Sequence, residues 1–253
     1  MRVAPKRELG QHFLVDENVL GVIGRLAEPG PEDVVLEVGP GLGVLTRYLA
    51  ARVAGVHAVE LDRSLAPHLA DLPPNVELEW GDALRLDLAA SRPTKLVANL
   101  PYSIATPLIV ESLDGLPTVR RWCVMVQREV ADRLFAEPST KAYGAVSVLV
   151  RLAAVKTGFH PVSRNVFRPR PNVDSALVAF ERTRLPADFA RVKPIVEAAF
   201  AHRRKTLPNS LELAGLTGRD RAAEALVALG RPTNARAEEL SPAEFVALAG
   251  ELV

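Results

Sequence analysis

Two periods of apolar residues alternate along the first half of the chain. Asp16 precedes Val19, Val22, Ile23 and Leu26, a stripe at helical spacing whose first turn an aspartate can cap. Pro29-Gly30-Pro31 ends that helix, and the near-continuous apolar run Val34–Val38 predicts a buried strand. The pattern then predicts a helix over 44–51, a strand over Val56–Leu61, and a helical stretch through Leu65 and Leu69. Strands follow at Val76–Trp80 and Leu96–Asn99, then a helix starting at a Thr106-Pro107 cap and running through Leu113. A fifth strand is expected at Trp122–Val126 and a helix at Glu129–Phe135. Alternation of this kind predicts an α/β fold: a parallel sheet with helices on both faces.

The pattern changes further on. Arg164 to Pro171 is a proline-broken loop and Val173–Phe180 a strand. Beyond Pro186 only helical signals remain. They are Asp188–Phe200, Arg219–Leu229 closed by Gly230, and a capping box at Ser241-Pro242-Ala243-Glu244. The expected organisation is an α/β domain over 1–185 and a small all-helical domain over 186–253. No internal repeat is evident.

With 253 residues, 48% hydrophobic and 24% charged, the chain can bury a sizeable core. No apolar run approaches the ~20 residues that span a bilayer. The basic start Met1–Arg7 lacks the apolar stretch of a secretion signal, so a cytoplasmic protein is expected. A lone cysteine, Cys123, excludes an internal disulfide and a cysteine-based zinc site, and no metal is expected. Net charge is only +1, but cations cluster. Seven lie between Arg151 and Arg184, against Asp174 and Glu181; others are Arg2, Lys6 and Arg7, and His202-Arg203-Arg204-Lys205. Such patches suit phosphate contacts and equally suit ordinary solvated faces. Arg168, Arg170, Arg203, Arg204 and Lys205 are the candidates for such phosphate contacts.

Candidate chemistry lies at the ends of the predicted strands. Glu37-Val38-Gly39-Pro40-Gly41-Leu42-Gly43 comes straight off one strand and leads into a helix, where glycines admit positive φ and a close ligand. Its G-x-G-x-G spacing departs from the dinucleotide fingerprint, which argues against a nicotinamide oxidoreductase. Alone it is weak evidence and can also be read as a tight strand–helix connection. Glu60 ends the next strand, where a carboxylate can accept ribose hydroxyls, and Asp82 follows the third, where it can meet an adenine amine. Each acid alone is a turn residue; the three in register favour a nucleoside ligand. Leu61 and Ala83 adjoin them in the same expected pocket. Asn99-Leu100-Pro101-Tyr102 ends the fourth strand. Adenine N6 is a poor nucleophile because its lone pair is delocalised. The Asn99 side-chain oxygen and the Leu100 carbonyl can accept both amine hydrogens, Pro101 stiffens the turn, and Tyr102 can stack on an extruded base. By itself the tetrapeptide reads equally as a proline turn ending a strand.

On these residues the chain resembles the ribosomal RNA adenine N6-dimethyltransferases, particularly the branch acting on small-subunit ribosomal RNA. The resemblance spans Leu9-Gly10-Gln11-His12-Phe13-Leu14, the glycine turn, Asn99–Tyr102, Phe167-Arg168-Pro169-Arg170-Pro171-Asn172-Val173-Asp174-Ser175-Ala176, and Arg203-Arg204-Lys205-Thr206-Leu207-Pro208-Asn209-Ser210-Leu211. It implies a Rossmann-like class I methyltransferase sheet and S-adenosyl-L-methionine as cofactor. It implies a substrate of two adjacent adenosines, each dimethylated, in a hairpin loop near the RNA 3′ end. The implied partner is small-subunit RNA or the immature 30S subunit, with a monomer expected. Gln11, His12 and Leu14 would close over the cofactor, with His12 standing where many relatives have asparagine. Phe167 would face the base opposite Tyr102. Competing readings are a large-subunit RNA methyltransferase of the macrolide-resistance type, a DNA adenine methyltransferase, and a non-catalytic assembly factor of the same fold.

Overall fold

The computed structural model describes residues 6 and 11–252, so readings that rest on Arg2, Arg7 and Leu9-Gly10 lie outside the described residues. Two compact units emerge. One comprises residues up to Ala131 together with Lys156–Arg182; the other comprises Asp132–Val155 and Thr183 onward. The second crossing lies near the expected boundary at 185. The segment 132–155, read from sequence as part of the first domain, instead belongs with the C-terminal helices.

The first unit is built on a seven-stranded sheet. In chain order its elements begin with the two-residue strand β1 (Phe13–Leu14), α1 (Glu17–Ala27), β2 (Val34–Val38), α2 (Val44–Ala50), β3 (Gly55–Glu60), α3 (Ala66–Leu69) and β4 (Val76–Trp80). They continue with β5 (Lys95–Asn99), α4 (Ala105–Gly115), β6 (Arg121–Gln127) and α5 (Arg128–Leu134). The chain returns through α6 (Ala145–Ala153) to β7 (Ala154–Val162), β8 (Phe167–Arg168) and β9 (Ser175–Arg182). Strand order across the sheet is β4-β3-β2-β5-β6-β9-β7. The pairs from β4 to β6 are parallel, as expected, but β9 runs antiparallel to β6. No crossover helix separates β7 from β9, and a parallel neighbour requires one.

Sequence signals set several boundaries directly. The Asp16 side chain accepts the Asn18 N–H at 2.8 Å and starts α1, and Glu28 ends it in the left-handed region at φ 47°. Helix α4 begins at Ala105 rather than at Thr106-Pro107, because the Ile104 N–H bonds the Pro101 carbonyl and the turn runs on into the helix. The apolar stripe of α1 packs Val19, Leu20, Ile23 and Ala27 against Val35, Val97, Met125 and Leu177 of the strands. Burying each such side chain contributes about 1.5–3 kcal/mol.

The second unit is helical: α6, α7 (Phe189–Ala201), α8 (Leu207–Leu213), α9 (Arg219–Ala228) and α10 (Pro242–Glu251). Phe200 meets the rings of Tyr143 and Phe245, each at 5.8 Å between centroids, and the Tyr143 hydroxyl donates to the Leu240 carbonyl at 2.8 Å. The expected capping box forms, with Glu244 Oε2 accepting the Ser241 N–H at 2.8 Å. Gly230 follows α9 at φ 71°. Among the described residues no helix is long and apolar enough to cross a membrane.

Candidate active site

Strand order reverses about β2, and open α/β sheets bind ligands beyond the carboxyl ends of the strands at such a point. A cleft of about 1030 Å³, counted to its open mouth, lies there. Its walls include Gly39 and Gly41 after β2, Glu60 and Leu61 at the end of β3, Asp82 and Ala83 after β4, and Asn99–Tyr102 after β5. Gln11, His12 and Leu14 line it as well. The sequence-predicted cofactor and amine residues therefore share one cavity.

The glycines are needed for their conformation. Gly39 and Gly41 have φ of 76° and 59°, where a side chain is strained. A Cβ at 39 would lie 3.0 Å from Pro101 Cγ, and one at 41 would lie 2.9 Å from Phe13 Cδ1. The turn thus presses its bare backbone against the Asn99–Tyr102 corner on one side and against the N-terminal segment on the other.

Both oxygens of Glu60 are engaged by backbone donors, Oε1 by the Asp62 N–H at 2.8 Å and Oε2 by the Gly41 N–H at 3.2 Å. Each keeps a lone pair for a ribose hydroxyl. Burial raises its carboxyl above the ordinary value, and those two backbone bonds offset part of the rise. Glu37, one strand over, is 1% exposed, and its Oε2 has no hydrogen-bond partner. Burial, aided by the nearby Glu60 charge, pushes it up to about 8 although the Thr46 hydroxyl draws it down. A buried orphan acceptor, a glycine cradle and a ribose-type carboxylate fit a cationic nucleoside. Asp82 accepts the Leu84 N–H through Oδ1 at 3.0 Å.

At the corner, the Asn99 amide nitrogen donates to the His12 carbonyl at 3.1 Å, which leaves Oδ1 as an acceptor. The Leu100 N–H bonds the Met125 carbonyl at 3.1 Å and its side chain is buried, so the peptide is fixed from behind. The Tyr102 hydroxyl shares a 2.7 Å hydrogen bond with Ser175. Burial raises the Tyr102 pKa, the Ser175 bond opposes it, and the Asp174 charge adds to it.

Phe167 is not where the resemblance put it. It is 0% exposed, packs in the core with Leu14 and Leu177, and is absent from the cleft wall. Pairing of β8 with β1, Leu14 opposite Phe167, draws it inward. The ring beside Tyr102 is His12, at 5.4 Å between centroids, and its Nδ1 lies 2.8 Å from the Pro169 carbonyl. Arg168 and Arg170 are exposed. Arg203 reaches back to the Tyr143 carbonyl at 2.9 Å, while Arg204 and Lys205 face solvent.

Sequence reasoning missed two residues that hold these walls. Ser175 anchors Tyr102. Asp62, 3% exposed, takes Lys6 Nζ at 2.7 Å and Gln11 Nε2 at 2.8 Å, fastening the N-terminal segment beside Glu60. Burial alone would raise its pKa, but the bonds from Lys6, Ser64 and Gln11 outweigh burial and hold it below the usual carboxylate range. Asp62 lies two residues after Glu60, yet its own pattern reads only as a turn.

This sheet, with a cleft beyond the carboxyl ends of its parallel strands, defines a Rossmann-like methyltransferase fold. The family model for ribosomal RNA adenine dimethylases matches residues 3–252. The chain belongs to that family. The ribosomal RNA small subunit methyltransferase A of Rubrobacter xylanophilus is 48% identical, covering 96% of this chain and 94% of the relative. The protein of the same name from Streptomyces coelicolor is 45% identical, covering 98% and 91%. The 23S rRNA methyltransferase ErmE superposes with a TM-score of 0.63 at 29% identity, covering 95% of this chain and 99% of that one. A dimethyladenosine transferase from Plasmodium falciparum gives 0.76 at 24% identity over 94% and 96%, a likeness of fold.

Proposed function

We propose that this chain dimethylates N6 of two adjacent adenosines in a hairpin loop near the 3′ end of small-subunit ribosomal RNA, as a step in building the 30S subunit. The observation that carries the reading is the corner. Asn99 is turned by its bond to the His12 carbonyl so that Oδ1 is left to accept, and the cofactor turn touches Pro101 directly. Identity to the small-subunit relatives, 48% and 45%, exceeds the 29% to the 23S enzyme and favours the small-subunit substrate.

The residues divide the work. Glu60 would hold the ribose of S-adenosyl-L-methionine, Asp82 its adenine amine, and Glu37 would face its ammonium group. Gly39 and Gly41 let the backbone approach, and Gln11, His12 and Leu14 wall the open side. Leu61 and Ala83 supply apolar contact. When bound, the cofactor offers a methyl group already activated on a sulfonium. Asn99 Oδ1 and the Leu100 carbonyl accept the two N6 hydrogens, directing the nitrogen lone pair at that methyl. Tyr102 supports the base, with Ser175 fixing the ring. The cationic nitrogen that results sheds its proton to water, since neither acceptor is basic enough to keep it. Positioning and electrostatics then suffice without a general base. Arg203, Arg204 and Lys205 of the helical unit, with Arg168 and Arg170, would meet RNA phosphates.

The test incubates the protein with methyl-labelled cofactor and each ribosomal subunit from an unmodified strain, followed by mass spectrometry of RNA fragments. Dimethyladenosine pairs are expected in the small-subunit RNA. Label in large-subunit RNA alone would refute the substrate. Asn99→Ala is expected to lose turnover by at least about 100-fold while keeping cofactor binding; equal losses of both would remove Asn99 from the amine.

A further inference from the structure

Strand β7 is an edge of the sheet, and most of its length is exposed. The backbone of Gly158 has Leu26 of α1 over it, so residues 156, 158 and 160 lean toward α1 and the alternate set faces the other way. Phe159 belongs to that second set and is 39% exposed. A single exposed apolar residue needs no explanation by itself. This one is not by itself. The Arg128 guanidinium lies 5.1 Å from its ring centroid, the arrangement of a cation–π pair.

The pair is wired to the corner through residues 172–175. The Arg128 N–H donates to the Asp174 carbonyl at 3.0 Å, and the Arg164 N–H donates to Asp174 Oδ1 at 3.0 Å. Arg164 Nη1 reaches the Asn172 carbonyl at 2.9 Å. The next residue, Ser175, holds Tyr102. Between residues 156 and 174 the cations are Lys156, Arg164, Arg168 and Arg170, and the one acid is Asp174. A guanidinium close to an exposed aromatic ring, amid an excess of positive charge and tied to the proposed base site, is the chemistry that takes an unpaired nucleotide.

We propose that Phe159, with the Arg128 guanidinium near its ring, is a stacking platform for an unpaired nucleotide of the RNA loop that flanks the methylated adenosine, with Arg164, held on the same Asp174 as Arg128, meeting a phosphate. The proposal deepens the function proposed above and rests on it. The platform would hold the loop open while its neighbour enters the cleft. Sequence pattern did not reveal it, because Lys156-Thr157-Gly158-Phe159-His160-Pro161 has no clear period.

The experiment pairs Phe159→Ala with Phe159→Trp and Phe159→Leu in the full chain. The wild type is first assayed on small-subunit particles, and failure to methylate them sinks the proposed function alone. Phe159→Ala is expected to raise the KM for the particle by about 5- to 150-fold, the range for losing one base–aromatic stack. Cofactor Kd and thermal unfolding stay at wild-type values. Phe159→Trp restores the KM and Phe159→Leu does not. The second readout does not depend on turnover. A single-stranded RNA containing 2-aminopurine is expected to lose fluorescence on binding wild type and the tryptophan variant, and to stay bright with alanine. An unchanged KM and quench in Phe159→Ala, or rescue by leucine equal to tryptophan, would overturn the platform.

Discussion

Replacing Gly39 by alanine asks whether the glycine turn and the Asn99–Tyr102 corner are one mechanical unit. Two costs can be worked out separately. Gly39 has φ 76°, and a side chain there costs about 1–2 kcal/mol in left-handed strain. For a chain of this size that corresponds to a fall of about 2–8 °C in Tm. The added Cβ would also sit 3.0 Å from Pro101 Cγ and 3.1 Å from Cδ, so the corner must yield by a few tenths of an ångström. A misplacement of about 1 Å can cost about 100-fold in rate, so a shift of this size should lower kcat about 10-fold. Gly215 supplies the control: φ is 70°, and a Cβ there would meet nothing within 4 Å. Gly215→Ala should share the strain and lose stability alone. The assay is single-turnover methyl transfer with cofactor and RNA both saturating, beside calorimetric unfolding of each variant. A kcat for Gly39→Ala equal to that of wild type would refute the coupling, as would an equal kcat loss in Gly215→Ala.

Glu37→Gln tests the buried acid. Unfolded, the carboxyl titrates near 4.5; folded, near 8, so the folded state keeps a proton that the unfolded state has released. Stability should therefore fall as pH rises between those values, by at most about 1.4 kcal/mol per unit from this group. Glutamine mimics the protonated form and should flatten that slope, with Glu60 keeping its own share in both proteins; parallel urea-denaturation profiles from pH 5 to 8 would contradict it. Asp62→Asn should loosen the N-terminal segment. Losing the charge-assisted bonds to Lys6 and Gln11, with Lys6 well exposed, should speed cofactor release about 5- to 30-fold and admit protease near Gln11. Unchanged release in stopped-flow exchange would show that Asp62 acts only locally. Glu60→Ala should weaken cofactor binding in calorimetry, in addition to losing about 1–3 kcal/mol of stability for each backbone donor it orphans, at Asp62 and Gly41; retained affinity would free Glu60 from the ribose.

Much of the first unit was legible because its strands and helices are short, strongly periodic and separated by glycine and proline. Val34–Val38 could be read to the residue, and the acids after β3 and β4 could be placed at strand ends. Helix α6 and strand β7 could not. Ala145–Ala153 has a clear apolar face, but it runs straight into β7 at Ala154 with no turn residue between to mark where one element ends and the next begins. Helix α8 was hidden behind Pro208, which reads as a breaker yet sits in its first turn. The direction of β9 depends on connectivity, which residue pattern does not encode. Phe167 differs: the resemblance set it against the base, while its residue type alone equally allowed a core position, and the position it takes is decided by Leu14, more than 150 residues earlier.

The two-residue ladder between Phe13–Leu14 and Phe167–Arg168 has a kinetic corollary. On the function proposed above, it would stitch the segment walling the donor to the loop that would grip the nucleic acid. Replenishing a spent donor would then mean lifting that segment, and lifting it would strain the grip. If each adenosine takes two methyl groups, as proposed, a protein so stitched should let go of its substrate between transfers, so singly methylated product should accumulate early in a reaction and then decline.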